Sequence, residues 1–348
     1  VIPKRVGIKD VASAAGVSVT TVSHILNATP NTRASEETRR RVKDAARALG
    51  YGPNRLAQGL RTQRSGMIGL LSEEIATTPH AVRIILGAQE AARAHGLSLM
   101  IINSTHDAND ESRRDDIAAL LERQVDGILW ATIMYHREVS LPSNLVGVPA
   151  VLIDARDRAG LAPGVEPDEE SGARAAVTAL IQAGHRRIGF VNYHGDIPAT
   201  HGRLRGYRSV LAEHGIPFDE SLVVAADYEA LDGYAVTLPL LDRPDRPTAL
   251  FCFNDRMAMG AYRAAAELHI TIPEELSIVG FDNQELIAAN LFPALTTVAL
   301  PHYEMGVWAV DTLVRIMNGH EEDRLLSDHP TFMECPLVIR QSIAAPAL

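Results

Sequence analysis

Val19, Thr20, Thr21, Ser23 and His24 gather three hydroxyls, one imidazole and one small apolar side chain within a single stretch. Groups of that size and polarity can meet base edges in a DNA major groove, provided a helix carries its first turn and outer face into the groove. The residues around them supply such a helix. Ile8, Val11 and Ala12 fall at i, i+3 and i+4, so they line one face of a first helix. Gly16 accepts the positive φ of a sharp turn. Ser18 is a good N-cap for a second helix, and Val22, Ile25 and Leu26 turn back onto the first. Two ordinary amphipathic helices would explain the apolar spacing alone. They would not explain the turn, the cap and the outward polar residues together, so residues 8–26 read as a DNA-binding helix-turn-helix.

Charge divides the chain in the same place. The 348 residues carry 33 Lys and Arg against 43 Asp and Glu, for a net charge of −10. Residues 1–64 hold 12 of the basic residues but only four acids, Asp10, Glu36, Glu37 and Asp44, so this head is +8 and the remainder −18. A basic head neutralises phosphates, and an acidic body keeps the contact confined to the head. Cys252 and Cys335 lie in apolar runs and read as buried free thiols in a reducing compartment. With no signal peptide and no apolar run long enough to span a bilayer, a cytoplasmic chain without membrane contact is expected.

Beyond the turn, residues 36–49 read as a third helix with Val42, Ala45, Ala46 and Leu49 inward and an arginine-rich outer face. Tyr51-Gly52-Pro53 breaks it. Residues 54–60 can form a short helix, and 61–66 are a polar linker. From Met67 apolar runs alternate with amphipathic stretches. Strands are expected at 67–71, 97–103, 127–131 and 150–153, with helices near 80–95 and 111–124. The alternation restarts after Pro163, with helices at 169–183, 203–214, 231–241 and 255–268 and strands at 187–192, 222–226, 249–253 and 276–281. The fold class is therefore α/β: an all-α head followed by two doubly wound parallel-sheet lobes, each covered on both faces. Ligands in such sheets bind beyond the carboxyl ends of the strands.

The motif, followed by Leu26-Asn27, Glu36-Glu37-Thr38-Arg39 and Leu49-Gly50-Tyr51-Gly52-Pro53-Asn54, resembles the LacI/GalR family of bacterial repressors. The body agrees, through Val125-Asp126-Gly127-Ile128, Gly184-His185-Arg186-Arg187-Ile188-Gly189, Asn254-Asp255, Ser277-Ile278-Val279-Gly280-Phe281-Asp282 and Pro293-Ala294-Leu295-Thr296-Thr297. The resemblance runs from about residue 6 to 343. It implies a homodimer with a DNA head (1–52), a hinge helix and linker (53–65) and a core like a periplasmic sugar-binding protein. The first lobe would hold 66–162 and 296–325, the second 163–292 and 329–343. The chain would cross between them near 162–164, 292–296 and 325–329, and a helix at 302–318 would return to the first lobe.

The resemblance also assigns roles. Val19, Thr20 and His24 match base-reading positions, and residues 20–24 look most like the recognition helix of the family's purine repressors. Thr21 and Ser23 fit phosphate contact or helix capping. Leu60, with Ala57 one turn earlier, matches a leucine that wedges into the minor groove at the operator's centre, where unstacking costs a few kcal/mol offset by the fit of bent DNA. Gly59 departs from the usual helix former there, at a cost of about 1 kcal/mol. The loop 28–34 is about two residues longer than the family's usual one.

Arg203, Asn254 and Asp282 match positions that grip ligand hydroxyls or ring nitrogens. An arginine fork beside a carboxylate suits a polyhydroxylated ring. Asp154 ends a strand on the same side, and Tyr228 sits where the family often stacks an aromatic. Pro79-His80-Ala81 replaces a common Pro-Phe-Phe run and brings a titratable donor, His80, toward the pocket. Leu300 replaces a common Gln before proline.

The expected partners are a pseudo-palindromic operator and a small sugar or nucleoside-like effector, with a purine-type corepressor as the alternative. Effector closure of the lobes would bias hinge folding, and whether it releases or promotes DNA binding stays open. No heptad segment follows Ile343, so a dimer is expected rather than a tetramer. A solute-binding protein of the same core would lack the basic head. No phosphate loop, nucleophile elbow, HExxH or Cys/His cluster is present, so neither enzyme chemistry, metal nor cofactor is expected.

Overall fold

Gly16 takes φ 64° in the computed structural model, and its N–H closes helix α1 (Ile8–Ala15) onto the carbonyls of Ala12 and Ser13. The structure describes residues 6–27, 32–51, 64–78, 81–104, 109–132, 137–320 and 330–347. These fall into two compact units, Val1–Gly66 and Met67–Leu348. In the first, Ser18 Oγ accepts from Thr21 N at 3.1 Å and starts α2 (Val19–Leu26). Ser35 does the same for α3 (Glu36–Ala48) through Thr38 N at 3.2 Å. Val11, Ala12, Ala15, Val22, Ile25, Val42 and Ala46 form the head's core. Leu49, expected inward, is exposed instead. Gly50 turns the chain at φ 63°, and Tyr51 folds back with its N–H on Ala46 O, taking the place against the core.

The second unit holds two six-stranded sheets. The first has the order β13-β7-β5-β3-β1-β2, from β1 (Met67–Glu73), β2 (Ser98–Ser104), β3 (Ile128–Ala131), β5 (Ala150–Ile153), β7 (Gly164–Pro167) and β13 (Thr331–Met333). The second has the order β14-β12-β11-β10-β8-β9, from β8 (Ile188–Tyr193), β9 (Val223–Ala226), β10 (Ala249–Cys252), β11 (Ser277–Asp282), β12 (Thr296–Ala299) and β14 (Leu337–Val338). Every pairing is parallel except β12 with β14. In both sheets the first strand in sequence lies between the second and the third, so each reverses strand order at the same point. That is where the carboxyl ends of the strands leave a crevice. A two-stranded ribbon of β4 (Arg137–Val139) and β6 (Ala155–Asp157), which no sequence pattern signalled, flanks the first sheet.

Strand side chains alternate between two buried faces of the first sheet. Ile68, Leu70, Leu129, Val151 and Ile153 pack on one side, and Leu71, Ile128, Trp130 and Leu152 on the other. Continuous apolar strands follow from that double burial. Helices α4 (Val82–Ala94) and α11 (His302–Met317) cover the first of these faces. They touch backbone to backbone, because a Cβ on Gly87 would lie 2.1 Å from Tyr303 O and one on Gly306 2.2 Å from Ile84 O. The second sheet is packed by α6 (Glu169–Gln182), α7 (Pro198–Glu213), α8 (Ala230–Leu241) and α9 (Asp255–Glu267) around Phe190, Tyr207 and Phe251. Helix α5 (Asp110–Glu122) lies on the first sheet's other face, and α10 (Glu285–Ala288) follows β11.

The expected crossings shift. Strand β7 pairs with β5 in the first sheet, so the chain crosses after Pro167 rather than at 162–164. Strand β12 belongs to the second sheet, so the second crossing is at Leu300-Pro301 rather than 292–296. Strands β13 and β14 bracket the third at 334–336 rather than 325–329. The assigned lobe boundaries move with them. β7 is only four residues, starts at Gly and ends at Pro, and carries Glu166 at a buried position, so it lacks the apolar run that marked the other strands. The expected hinge segment, with Ala57 and Leu60, falls largely within 52–63, and His80 at 80; these lie outside the described residues.

Candidate functional site

On the head, α2 buries Val22 and Ile25 and leaves Val19 40% exposed, with Thr20 exposed beside it and His24 half-buried. Thr21 Oγ1 lies 2.8 Å from Ser18 Oγ, and Ser23 Oγ accepts from Asn27 Nδ2 at 3.2 Å. Both hydroxyls are thus engaged within the head, whereas Val19 and Thr20 stand out at the helix's first turn. Arg40, Arg41, Lys43 and Arg47 are exposed on α3. They supply the charge that a phosphate backbone attracts.

In the second unit, one cavity between the lobes is walled by the strand ends of both sheets. Thr132 and Asp154 follow β3 and β5, Glu169 follows β7, and Phe253, Asn254, Asp282 and Leu300 come from the ends of β10, β11 and β12. The cavity measures about 500 Å³ to its mouth. Of the residues expected from sequence, Asp154, Arg203, Asn254 and Asp282 meet here. Tyr228 stands beside the cavity: its carbonyl accepts from Asn254 Nδ2 at 3.0 Å and its ring faces Arg256 and Tyr193.

Arg203 is 3% exposed and held on every side. It sits in the second turn of α7, which starts at Pro198 rather than at 203 as the sequence suggested, because Ile197-Pro198 opens the helix with proline at N1. Its Nε and Nη2 lie 2.6 and 3.1 Å from the two Glu169 oxygens, and Nη1 donates to Phe253 O. The guanidinium lies 4.2 and 3.7 Å from the Phe253 and Phe281 ring centres. Asn254 is also committed, its Oδ1 capping α9 through Met257 N at 2.8 Å.

Asp154 and Asp282 both have left-handed backbone, at φ 61° and 101°. Residues with side chains rarely hold such angles, and they concentrate where a site demands a particular aim. The turn at Asp282 is held from behind by Asp255, which is 0% exposed and accepts from Gln284 N at 2.6 Å and Thr297 Oγ1 at 2.6 Å. Burial pushes the Asp282 carboxyl up, and Arg203, at 3.8 Å, pulls it only part of the way back. Burial and the neighbouring Asp282 hold Asp255 well above the usual carboxylate range.

Both carboxyls therefore keep protons to higher pH folded than unfolded. Their folded form gives up stability as pH rises from about 4, the unfolded carboxylate value, through the raised folded value. Asp282→Asn removes its share of that loss, and asparagine tolerates the left-handed backbone. In urea titrations across this window, the variant's stability relative to the parent is expected to rise with pH. A difference that stays flat would show that Asp282 carries no buried charge.

Sequence reasoning missed Glu169, Thr132, Arg256 and His302, which also line the cavity. Asp168, Glu169 and Glu170 read as the acids that favour a helix N-terminus, and Asp168 does cap α6 through Ser171 N at 2.9 Å. The usable signal was position: Glu169 lies two residues past the end of β7, as Asp154 lies one past β5 and Asp282 ends β11. Cys252 and Cys335 are free and buried, as expected. Among the described residues no His, Cys, Asp and Glu group could hold a metal ion, and no helix is long and apolar enough to cross a membrane.

Residues 7–54 match the bacterial regulatory proteins of the lacI family, and 177–343 match the periplasmic binding protein-like domain. The HTH-type transcriptional repressor PurR of Edwardsiella ictaluri is 34% identical over 346 residues, spanning 97% of this chain and 96% of that protein. The lac repressor dimer bound to operator and the anti-inducer ONPF matches 98% of this chain and 100% of its own, with TM-score 0.79 and 26% identity. The complex of the transcriptional regulator CelR with cellobiose matches 97% and 100%, with TM-score 0.66 and 29% identity. With a helix-turn-helix head, two parallel-sheet lobes and these likenesses along nearly its whole length, the chain belongs to the LacI family of bacterial regulatory proteins and is a DNA-binding transcriptional regulator with a ligand-binding core, not an enzyme.

Proposed function

We propose that the protein represses transcription in the cytoplasm by binding a pseudo-palindromic operator as a homodimer, and that a small polyhydroxylated effector, sugar or nucleoside-like, sets its affinity for that DNA. The effector lies between the lobes. What carries this reading is the convergence of Asp154 from one lobe with Arg203, Asn254 and Asp282 from the other on a single cavity. A ligand that hydrogen-bonds to both lobes binds best at one separation of them, so its binding free energy becomes a bias on lobe geometry. A differential of 1–3 kcal/mol, typical of such coupling, changes DNA affinity by about 5–150-fold. Tyr228 and His80 add an aromatic and an imidazole to the effector's surroundings in this reading.

On the DNA side, Val19, Thr20 and His24 read bases, Thr21 and Ser23 brace the helix or meet phosphate, and Ala57 and Leu60 serve the minor groove. The CelR likeness supports a sugar, and the PurR likeness keeps a purine in view. A thermal-shift screen against sugars, sugar phosphates, nucleosides and purines tests the effector reading. A hit stabilises the core through mass action, by about 2.7 kcal/mol at a hundredfold excess over Kd, and the same compound then alters operator affinity. A compound that stabilises the core but leaves operator affinity unchanged would contradict the coupling.

A further inference from the structure

We propose that Val19 reads a pyrimidine by its 5-methyl group, so that each half-site of the bound DNA carries one position selected for a methyl in the major groove rather than for a hydrogen-bonding edge. This rests on the reading of α2 as the recognition helix and goes further by naming the chemical group that one of its residues selects. Val19, Thr20 and Thr21 open the helix, and they differ in kind. Thr21 Oγ1 lies 2.8 Å from Ser18 Oγ, and Thr21 N donates to that same oxygen at 3.1 Å, so this residue completes the cap. Thr20 is exposed and carries both a hydroxyl and a methyl. Val19 is 40% exposed, and its side chain has no polar atom.

An exposed valine at that place does nothing for the head itself. Among the described residues, neither the buried core of the head nor the apolar side chains packed on it include Val19. Ser18 already supplies the cap, an acid would suit the positive end of the helix better, and a β-branched residue is a poorer helix former than alanine. In the major groove, however, the bases differ in what an isopropyl group can use. Guanine presents two acceptors, adenine an acceptor and a donor, cytosine a donor, and only thymine adds a methyl beside its acceptor. Valine laid on a polar edge strips water from it and returns no hydrogen bond, which costs free energy. Laid on the thymine methyl, it buries apolar surface against apolar surface. The methyl of 5-methylcytosine sits at the same ring position. Val19 therefore accepts thymine and 5-methylcytosine and disfavours uracil and cytosine.

The test starts from the symmetric site that the full chain enriches from a randomised DNA pool. Each thymine in it is replaced by uracil, one symmetric pair at a time, which removes the methyl and leaves base pairing and the acceptor in place. Fluorescence-anisotropy titrations of the labelled site read the affinity. One symmetric pair is expected to lose about fourfold for each half-site and about fifteenfold for both, the worth of one buried methyl in each. In Val19→Ala, checked for native circular dichroism, that penalty should shrink, while penalties at other thymines stay as they were. Cytosine and 5-methylcytosine, each paired with guanine and put in place of that thymine in one half-site only, should differ by about fourfold in favour of the methylated base. An enriched site without thymine, or one in which no uracil pair weakens binding, overturns the methyl reading and leaves α2 as the recognition helix. A uracil penalty undiminished in folded Val19→Ala overturns the assignment to Val19. Equal affinity for cytosine and 5-methylcytosine overturns the methyl as the selected group. Enrichment of no site overturns both readings.

Discussion

Val22→Asp abolishes sequence-specific DNA binding by the full chain and leaves the melting of the core unit where it was. Val22 is 0% exposed in a seven-residue core that includes Val11, Ile25 and Val42 from all three helices of the head. A carboxylate placed there is surrounded by apolar side chains, and burying it ionised and unpaired costs several kcal/mol. A unit of this size retains only a few kcal/mol of net stability, so the penalty unfolds it. Specific affinity should fall at least a hundredfold in a titration on operator DNA, because an unfolded head presents no recognition helix. The core forms a separate compact unit and should melt at its usual temperature. If specific binding survived, the three-helix packing would be wrong; if the core melted early, the two units would share stability.

Arg203→Ala is expected to destabilise the core unit by about 3–5 kcal/mol, the usual cost of removing one partner of a buried ion pair. The loss has two parts. Glu169, buried beside it, keeps its charge without the bidentate partner, and Phe253 O loses its donor. The guanidinium's packing between two phenylalanine rings goes as well. Urea denaturation of the single variant and of Arg203→Ala/Glu169→Gln separates these contributions. The double variant should recover part of the loss, because the stranded charge is gone while the missing packing remains. A single variant within about 1 kcal/mol of the parent would mean that the pair is solvated and worth no more than a surface bridge.

The head was legible because its main local cues agreed: periodic apolar positions, a turn glycine, the Ser18 cap and a charge reversal after residue 64. The sheets were legible where strands are apolar runs, as with 67–71 or 249–253, since double burial writes itself into composition. What escaped were short strands defined by their neighbours. Residues 164–167 and 137–139 have no period to read and are strands only because β5 and β6 lie alongside them. The first lobe crossing was misplaced because 164–167 went unread, and the second because 296–299 pair with β11.

In the cavity, Asp154, Arg203, Asn254 and Asp282 were found by their positions at strand ends and by family likeness. Glu169 was not, because an acid in the first turn of a helix has an ordinary explanation in the helix dipole. Only the fold shows that its carboxylate reaches across to a guanidinium 34 residues away. The consequence is chemical: the fork expected to grip a ligand is already gripped.

Selection of bound sequences from a randomised DNA pool by the purified full chain tests the central claim most directly. A homodimer that presents Val19, Thr20 and His24 twice should enrich a two-fold pseudo-palindrome whose half-sites lie about one helical turn apart. His24→Ala should change or relax base preference at symmetric positions in both halves, at about 1–3 kcal/mol for each lost base contact. Enrichment of that symmetric site, altered symmetrically by the substitution, is the expected result. No enrichment, or an asymmetric site indifferent to α2, would contradict the account.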